Sequence, residues 1–549
     1  MTGSDNLRKR IFEFSFGKLI LSIVILHFLF LYLSGYFEIG LISDDYLNFI
    51  SAGSSSFEEK FSGSIPFYSN YHFRPLWFLS MDLSIHLHTL LDLSKDNFVQ
   101  YRAENLICFY IFTVLACFFL KQITGNKFSP VLFFLICLIY PCNLNSICWT
   151  AGRVDIICGI FLMSSLIFSY RHFRSGRFSD FMISLTFMIL SLFTKETSVI
   201  IPVVTLLIFL ISFGKDAVLK IKYLLLCEFI ILICYFIFKI FYIGNSLSGV
   251  LTIYGDQGIF NRAGVIIRAL VSLTVPYDYL SVQYYTGSLD ITFILYMSVL
   301  VIVAADLIIH LKKSHVLKYL YLVCIVFLIT ISPNLIAGYF RPQLILIPFI
   351  ITFLTLFILL SKSVSYNRPV KLLLFILIAF WSCLSFNLVK EWNFAYNESR
   401  SDINEICKED IDFSGNKKVY LIGIPSRYRM ASMLDYASGP FNYWCRDGFL
   451  FEREITDIIH IGALDVNSLN SEIKVAILDS NELDVSVTGD TQYLLKLDLL
   501  NNEFRDNQTE ISFSEFNSFG KPTKAKIKFI SDDRKVFIFS NGKILKAGI

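Results

Sequence analysis

Eleven apolar stretches constrain this chain more than any other feature. They lie near 17–37, 103–120, 128–147, 154–170, 179–194, 197–213, 222–243, 289–309, 318–336, 342–360 and 371–389. A helix needs about 20 mostly apolar residues to cross a bilayer, and each stretch approaches that length. Composition agrees. Hydrophobic residues make up 55% of the 549 and charged residues only 17%, with 55 Phe and a mean hydropathy of +0.59. Soluble domains carry about 25% charged residues. The expected fold class is a polytopic α-helical membrane protein with about eleven transmembrane helices. Soluble cytosolic enzymes, nucleic-acid binders and disordered scaffolds are excluded.

The loops assign sides. Counted from a cytosolic N-terminus, alternate connections should be basic. They carry Arg8, Lys9, Arg10 and Lys18; Lys121 and Lys127; Arg171, Arg174 and Arg177; Lys215, Lys220 and Lys222; Lys312, Lys313 and Lys318; Lys362, Arg368 and Lys371. An odd span count then sends the residues after 390 to the outer side. Residues 1–390 hold 29 Lys+Arg and 20 Asp+Glu, and residues 391–549 hold 19 and 25. A basic membrane part of 1–390 is thus followed by a mildly acidic tail of 391–549. The tail is long enough for its own core and reads as a small extracytosolic α/β domain. Its Lys417–Ile424 alternates like a strand, 426–437 suits a helix, and strand-like runs follow at 473–478, 492–498, 510–513, 524–530 and 535–540. Ser531-Asp532-Asp533-Arg534 suits a hairpin turn between the last two.

The first apolar run is too long for a signal peptide and reads as an anchor. The outer loop of about 38–102 contains helix-like stretches (Leu76–Leu93) without a full span, which suits helices lying on the membrane. The segment 244–288, rich in Gly, Tyr and Asp, suits a lid. The twelve Cys show no paired metal-ligand spacing. Cys407 and Cys445, alone in the tail, could pair outside the cytosol. His86 and His88 are two apart and do not share a helix face, so they are not read as ligands. Asn397 and Asn507 match glycosylation sequons, which matter only in a secretory-pathway host.

Five charged constellations fall on the outer side. Asp44-Asp45 follows the first span. Two like charges beside low-dielectric lipid raise at least one pKa, which suits a general base or half of a cation site. Arg74-Pro75-Leu76 sits among aromatics and suits an anionic headgroup. Gly152-Arg153-Val154-Asp155 opens the fourth span. Lys195-Glu196 occupies a break between spans, where an ion pair is expensive and usually functional or paired. Arg341-Pro342 starts a late span. Each alone also fits ordinary snorkelling or a structural ion pair. Their agreement on one side favours a site.

The order of these motifs resembles the GT-C superfamily of membrane glycosyltransferases. Protein O-mannosyltransferases and lipid A aminoarabinose transferase belong to it. The likeness covers roughly residues 10–390 and is carried by Asp44-Asp45, Arg74-Pro75-Leu76, Gly152-Arg153-Val154-Asp155, Lys195-Glu196 followed by Pro202, and Arg341-Pro342. The Arg-Pro-Leu, Gly-Arg-x-Asp and Lys-Glu motifs look most like the branch of the animal transmembrane O-mannosyltransferases and their bacterial relatives. The tail lacks the tetratricopeptide repeats of the animal proteins, so protein mannosylation does not follow. In layout, a chain of this size with an outer tail also looks like bacterial glucosyltransferases that decorate O-antigen.

The resemblance implies an inverting hexosyltransferase on the outer face of a bacterial inner membrane, with the tail in the periplasm. It would move one sugar from a polyprenyl-phosphate (undecaprenyl-type) donor to an acceptor glycan or glycolipid, such as O-antigen of lipopolysaccharide. Asp44 is then the base, and Asp45 orients the acceptor or holds a divalent cation. Arg74, Arg153, Lys195 and Arg341 bind the donor phosphate, with Asp155 and Glu196 orienting them. No other cofactor is implied. Two alternatives remain: a transporter or flippase for a lipid-linked glycan, and an O-antigen polymerase or ligase. Few charges fall mid-span (Lys239, and Glu228 near a cytosolic end), which favours an enzyme.

Overall fold

The structure is a computed structural model. It describes residues 3–65, 73–125, 128–241, 259–275, 313–337, 342–361 and 368–408, part of 294–305, and the tail elements named below. The front part is helical throughout its described residues. Its first helices are α1 (Gly3–Ser34), α2 (Asp44–Ser54), α3 (Phe57–Ser62), α4 (Pro75–Leu90), α5 (Val99–Thr124), α6 (Phe128–Ile139), α7 (Pro141–Cys148), α8 (Arg153–Ser175), α9 (Phe178–Thr194), α10 (Ile201–Phe213), α11 (Lys215–Lys220) and α12 (Lys222–Phe241). Later come Ile259–Ser272, Lys313–Ala337, Leu346–Ser361 and Arg368–Cys407.

Among the described residues, seven helices are long and apolar enough to cross a membrane: Phe16–Ser34, Val99–Thr124, Thr150–Ser175, Glu196–Phe213, Lys222–Phe241, Lys318–Ile336 and Leu374–Cys407. The differences from eleven have local causes. The run expected at 128–147 breaks into α6 and α7, bent by 53°. Pro141 has no amide hydrogen and disfavours a helical conformation at the residue before it, and Tyr140 is indeed extended (φ −69°, ψ 124°). The runs at 179–194 and 342–360 form helices of 17 and 16 residues, Phe178–Thr194 and Leu346–Ser361. Both fall short of a full span. Most of 289–309 lies outside the described residues, as does most of 244–288 apart from Ile259–Ser272.

The last apolar run behaves differently again. It was expected to end near 389, but the helix continues unbroken to Cys407, over 40 residues. At 1.5 Å per residue that is about 60 Å, about twice the hydrocarbon thickness. Hydropathy ends near Val389, yet Trp392, Ala395, Tyr396, Ile403 and Ile406 keep an apolar stripe at helical spacing and are buried. Trp392 donates its indole N–H to Asn145 Oδ1 of α7 at 2.8 Å. Asn393 donates to Glu38 Oε2 at 2.8 Å, in a short 3-10 helix that follows α1. The boundary placed at 390/391 thus falls inside a continuous rod.

Between α1 and α5 the chain forms α2, α3 and α4. A capping box of Ser56 and Glu59 starts α3, and Pro75 at its first turn starts α4. Close helix contact in the bundle depends on Gly159 of α8, where a Cβ would lie 2.4 Å from the Phe112 ring of α5.

Among its described residues the tail carries twelve strands: β1 (Lys418–Ile422), β2 (Arg427–Tyr428), β3 (Ala431–Ser432), β4 (Ile458–Ile461), β5 (Asp465–Val466), β6 (Glu472–Asp479), β7 (Glu482–Thr488), β8 (Glu503–Arg505), β9 (Thr509–Phe516), β10 (Pro522–Phe529), β11 (Arg534–Ser540) and β12 (Lys543–Lys546). One sheet runs β12-β11-β1-β4, with β1 parallel to both neighbours. A second, antiparallel sheet runs β6-β7-β10-β9-β8, and a small third runs β3-β2-β5. Tyr420, Ile422, Val536 and Ile538 pack with Leu483, Val485, Ile511, Ala525, Ile527 and Phe529. That alternation in β7 and β10 is the period-two pattern of a half-buried sheet. The opposite face of β1, Val419 and Leu421, belongs to the core that contains Ile403 and Ile406 of the long helix. Burial on both faces explains the near-continuous apolar run of β1.

Two expectations in the tail are corrected. Residues 427–428 and 431–432 are paired strands rather than part of a helix. The strands on either side of Ser531-Asp532-Asp533-Arg534 do not form a hairpin: β10 pairs with β7 and β9, whereas β11 pairs with β1 and β12. The expected strand 492–498 lies outside the described residues. Cys407, at the end of the long helix, is disulfide-bonded to Cys445 of the helix Ser438–Cys445 across a separation of 38 residues. A closed loop of that length is worth about 4 kcal/mol in the chain-entropy account.

Candidate functional site

The site begins at a strained turn. Ser43, the residue before α2, has φ 59° and ψ −127°. A non-glycine residue held there costs on the order of 1–3 kcal/mol and persists where surrounding contacts hold it. Asp44 and Asp45 follow as the first residues of α2, where the helix dipole favours negative charge. Asp44 is half-buried and accepts the indole N–H of Trp149 on Oδ1 at 2.8 Å.

Asp45 is fully buried and faces the protein. Its Oδ2 accepts from the backbone amides of Ile42 (3.2 Å) and Thr150 (3.3 Å), and its Oδ1 from Ala151 (2.6 Å). Burial pushes the Asp45 carboxyl up, while the nearby Arg102 guanidinium and those three amides pull the other way. Asp45 therefore ties α2 to the Thr150–Gly152 turn. Both Asp45 oxygens thus accept from backbone amides, a bracing contact that the sequence does not announce.

Arg102 is completely buried and was missed in the sequence, where it sits at the edge of an apolar run. It donates to four carbonyls: Ile39 at 2.9 Å, Ile147 at 3.5 Å, and those of Gly40 and Cys148. It clamps the chain before α2 to the end of α7. Gly40 itself presses on the long helix, since a Cβ there would lie 2.2 Å from the Tyr396 ring. Gly152 is needed for the same reason, because its Cβ would lie 2.2 Å from the Ser146 carbonyl oxygen.

Arg153, at the start of α8, is also buried. It donates to Asn105 Oδ1 (2.6 Å), the Tyr101 carbonyl (3.3 Å), the Ser80 carbonyl (3.4 Å) and Ser84 Oγ, and it lies 3.0 Å from Glu104 Oε2. These partners on α4 and α5 use all three guanidinium nitrogens. Arg153 is thus built into the frame between α4, α5 and α8. Glu104 and Asn105, its chief partners, carried no signal in the sequence beyond being polar residues within an apolar run.

The remaining charges form two adjacent ion pairs. Lys195 lies in an extended residue between α9 and the following turn (φ −156°, ψ 139°). Its Nζ meets Asp155 Oδ1 at 2.6 Å, with both side chains buried. The second Asp155 oxygen, Oδ2, is buried and has no hydrogen-bond partner among the described residues. Glu196, next in the chain, accepts two bonds from Arg74: Nε to Oε2 at 2.9 Å and Nη2 to Oε1 at 3.2 Å. This pair is partly exposed, 14% for Arg74 and 25% for Glu196. Arg74 also lies over the Trp77 ring.

Direct ion pairs therefore join three of the five constellations, and Asp44 and Asp45 contact the residues just before the fourth-span motif, one of those three. Asp44 and Asp45 reach 149–151, α8 carries Arg153 and Asp155 onward, Asp155 holds Lys195, and Glu196 holds Arg74. Arg341, the cation of the fifth, lies outside the described residues. No group of three or more His, Cys, Asp or Glu residues able to hold a metal occurs among the described residues. Of the two His weighed as ligands, His88 stacks on Tyr101 and His86 lies exposed beside Asp82. In comparisons with known proteins, no family model and no curated sequence matches the chain.

Proposed function

We propose that this protein is a membrane glycosyltransferase that moves one sugar from a polyprenyl-phosphate donor to an acceptor glycan or glycolipid at the outer face of a bacterial inner membrane. The observation that supports it most is the continuous contact path from Asp44 through Asp155 and Lys195 to Glu196 and Arg74. It links a half-buried carboxylate to two ion-paired cations through residues 149–155 and the adjacent Lys195 and Glu196.

In this reading Asp44 takes the proton from the acceptor hydroxyl. The hydroxyl oxygen attacks the anomeric carbon, the bond from that carbon to the phosphate oxygen breaks, and polyprenyl phosphate leaves with inversion. The leaving phosphate gains charge that fixed cations stabilise. Arg74 presents a fork suited to two phosphate oxygens, and Lys195 adds a point charge. Arg341 belongs with them on the resemblance. Glu196 and Asp155 orient the cations between turnovers. Arg153 and Asp45 act through the frame they brace.

The side assignment rests on the basic loops and on the Cys407–Cys445 disulfide, since disulfides persist in oxidising compartments. The test is transfer from a panel of polyprenyl-phosphate hexoses by the purified protein in lipid vesicles. Release of polyprenyl phosphate coupled to acceptor glycosylation is the expected result. Movement of a lipid-linked glycan across the bilayer without transfer would replace this reading with a flippase.

A further inference from the structure

The helix of Asp44 is gripped from the tail. Tyr46 is buried in α2, two residues beyond Asp44. Its hydroxyl accepts the indole N–H of Trp444 at 3.0 Å, and its ring packs on Tyr443 and Trp444. Tyr443 donates its hydroxyl to the Lys95 carbonyl at 2.6 Å. Arg400 of the long helix lies over the Trp444 ring, 4.8 Å from its centroid, and pairs with Asp96 at 3.0 Å. Phe98 fills the centre, touching Tyr46, Tyr101, Tyr396, Tyr443 and Trp444. The residue after Trp444 is Cys445, bonded to Cys407.

We infer that Ser438–Cys445 is a strap that positions Asp44, and that the Cys407–Cys445 disulfide buckles it. Tyr443 and Trp444 touch no reacting group and are positioning residues. The covalent bond fixes the strap to the rod formed by the long helix. The same rod packs on Gly40 and Glu38, just before α2, so α2 is held from both sides. Without the bond, the strap is held by non-covalent contacts, among them those of Tyr443 and Trp444. Closure converts two thiols to one disulfide, and two electrons and two protons pass to a partner disulfide that leaves as a dithiol. The site would be fully set only where such an oxidant is present. This rests on the proposed role of Asp44, but the strap itself does not.

The experiment compares the full chain in lipid nanodiscs, oxidised and after dithiothreitol. Thiol labelling confirms the state of Cys407 and Cys445. Hydrogen exchange is followed at the amides of 44–54, and transfer kinetics are measured in parallel. Reduction should speed exchange there by about tenfold or more, the scale of about one lost hydrogen bond. The turnover number should fall while the donor KM stays constant. Tyr46→Phe, which keeps the ring and removes the acceptor for Trp444, should move both readouts the same way in the oxidised protein. It also covers the case in which the reduced chain does not stay folded. Unchanged exchange and unchanged turnover with both thiols labelled would overturn the strap. Faster exchange at 44–54 without transfer in any state would leave the strap standing and remove the transferase reading instead.

Discussion

Arg102 and Arg153 sit within the same end of the bundle as Arg74 and Lys195, but on different terms. The first two are buried and spread their donors over backbone carbonyls, an amide oxygen and a hydroxyl of several elements, and Arg153 adds Glu104 Oε2 at 3.0 Å to that set. The second two meet carboxylates, and the Arg74–Glu196 pair is partly open to solvent. A phosphate can substitute for a carboxylate on a guanidinium, because both are planar-accessible oxyanions gripped by two parallel bonds. It cannot substitute for four carbonyls that belong to the backbone. The neighbouring carboxylates divide the same way. Asp45 is enclosed by amides, while Asp44 is half-buried and accepts from the Trp149 indole. The charges that hold the site are thus distinct from the charges able to exchange partners.

That contrast can be broken from the frame side first. Arg102→Met should remove a donor from four buried carbonyls, of which Ile147 keeps the Tyr36 hydroxyl, and cost about 3–5 kcal/mol, the scale of breaking a buried charged network. A thermal unfolding midpoint close to wild type in detergent would contradict a framing role. Gly152→Ala should cost about 1–3 kcal/mol by overpacking. Its Cβ meets a backbone oxygen, which cannot rotate away. Both variants should lower stability and activity together.

On the exchanging side, Arg74→Lys keeps the charge and loses the fork. It should raise the donor KM by roughly tenfold, within the range for a charge-assisted hydrogen bond, with the unfolding midpoint unchanged. A fall in stability with intact donor affinity would move Arg74 into the frame. The smallest effect is expected at Arg400–Asp96, where both side chains are substantially exposed. Asp96→Asn should change stability by less than about 1 kcal/mol, read by the same unfolding measurement.

Much of this arrangement was legible in the sequence. The helical membrane part followed from apolar run length, the tail strand β1 from alternation, and β6, β9, β10 and β11 from short strand-like runs. The Asp44-Asp45, Arg74, Arg153-Asp155 and Lys195-Glu196 constellations stood out because charge at the edge of an apolar run is costly. What a run of apolar residues does not encode is its own continuity. Pro141 breaks one run, and the stripe from Trp392 to Ile406 extends another beyond its hydropathy. Likewise, a sequence marks a charge but not its partner. Arg102 looked like the edge of a span because its partners, the carbonyls of 39, 40, 147 and 148, have no side-chain signature. The pairing of β11 with β1 rather than β10 was hidden for a similar reason, since parallel pairing leaves no turn to read.

The comparison of Asp44→Asn with Asp45→Asn in purified, reconstituted protein tests the division most directly, with transfer rate and unfolding midpoint measured on both. Asp44→Asn keeps the shape and the oxygen that faces Trp149. It should slow transfer by ~10²-fold or more, the usual scale for losing a general base, with an unchanged midpoint and donor KM. Asp45→Asn should instead lower the midpoint, because one of its amide-bound oxygens becomes a donor facing donors. Near-normal transfer in Asp44→Asn alongside a stable but inactive Asp45→Asn would contradict the account and give the base to the enclosed carboxylate.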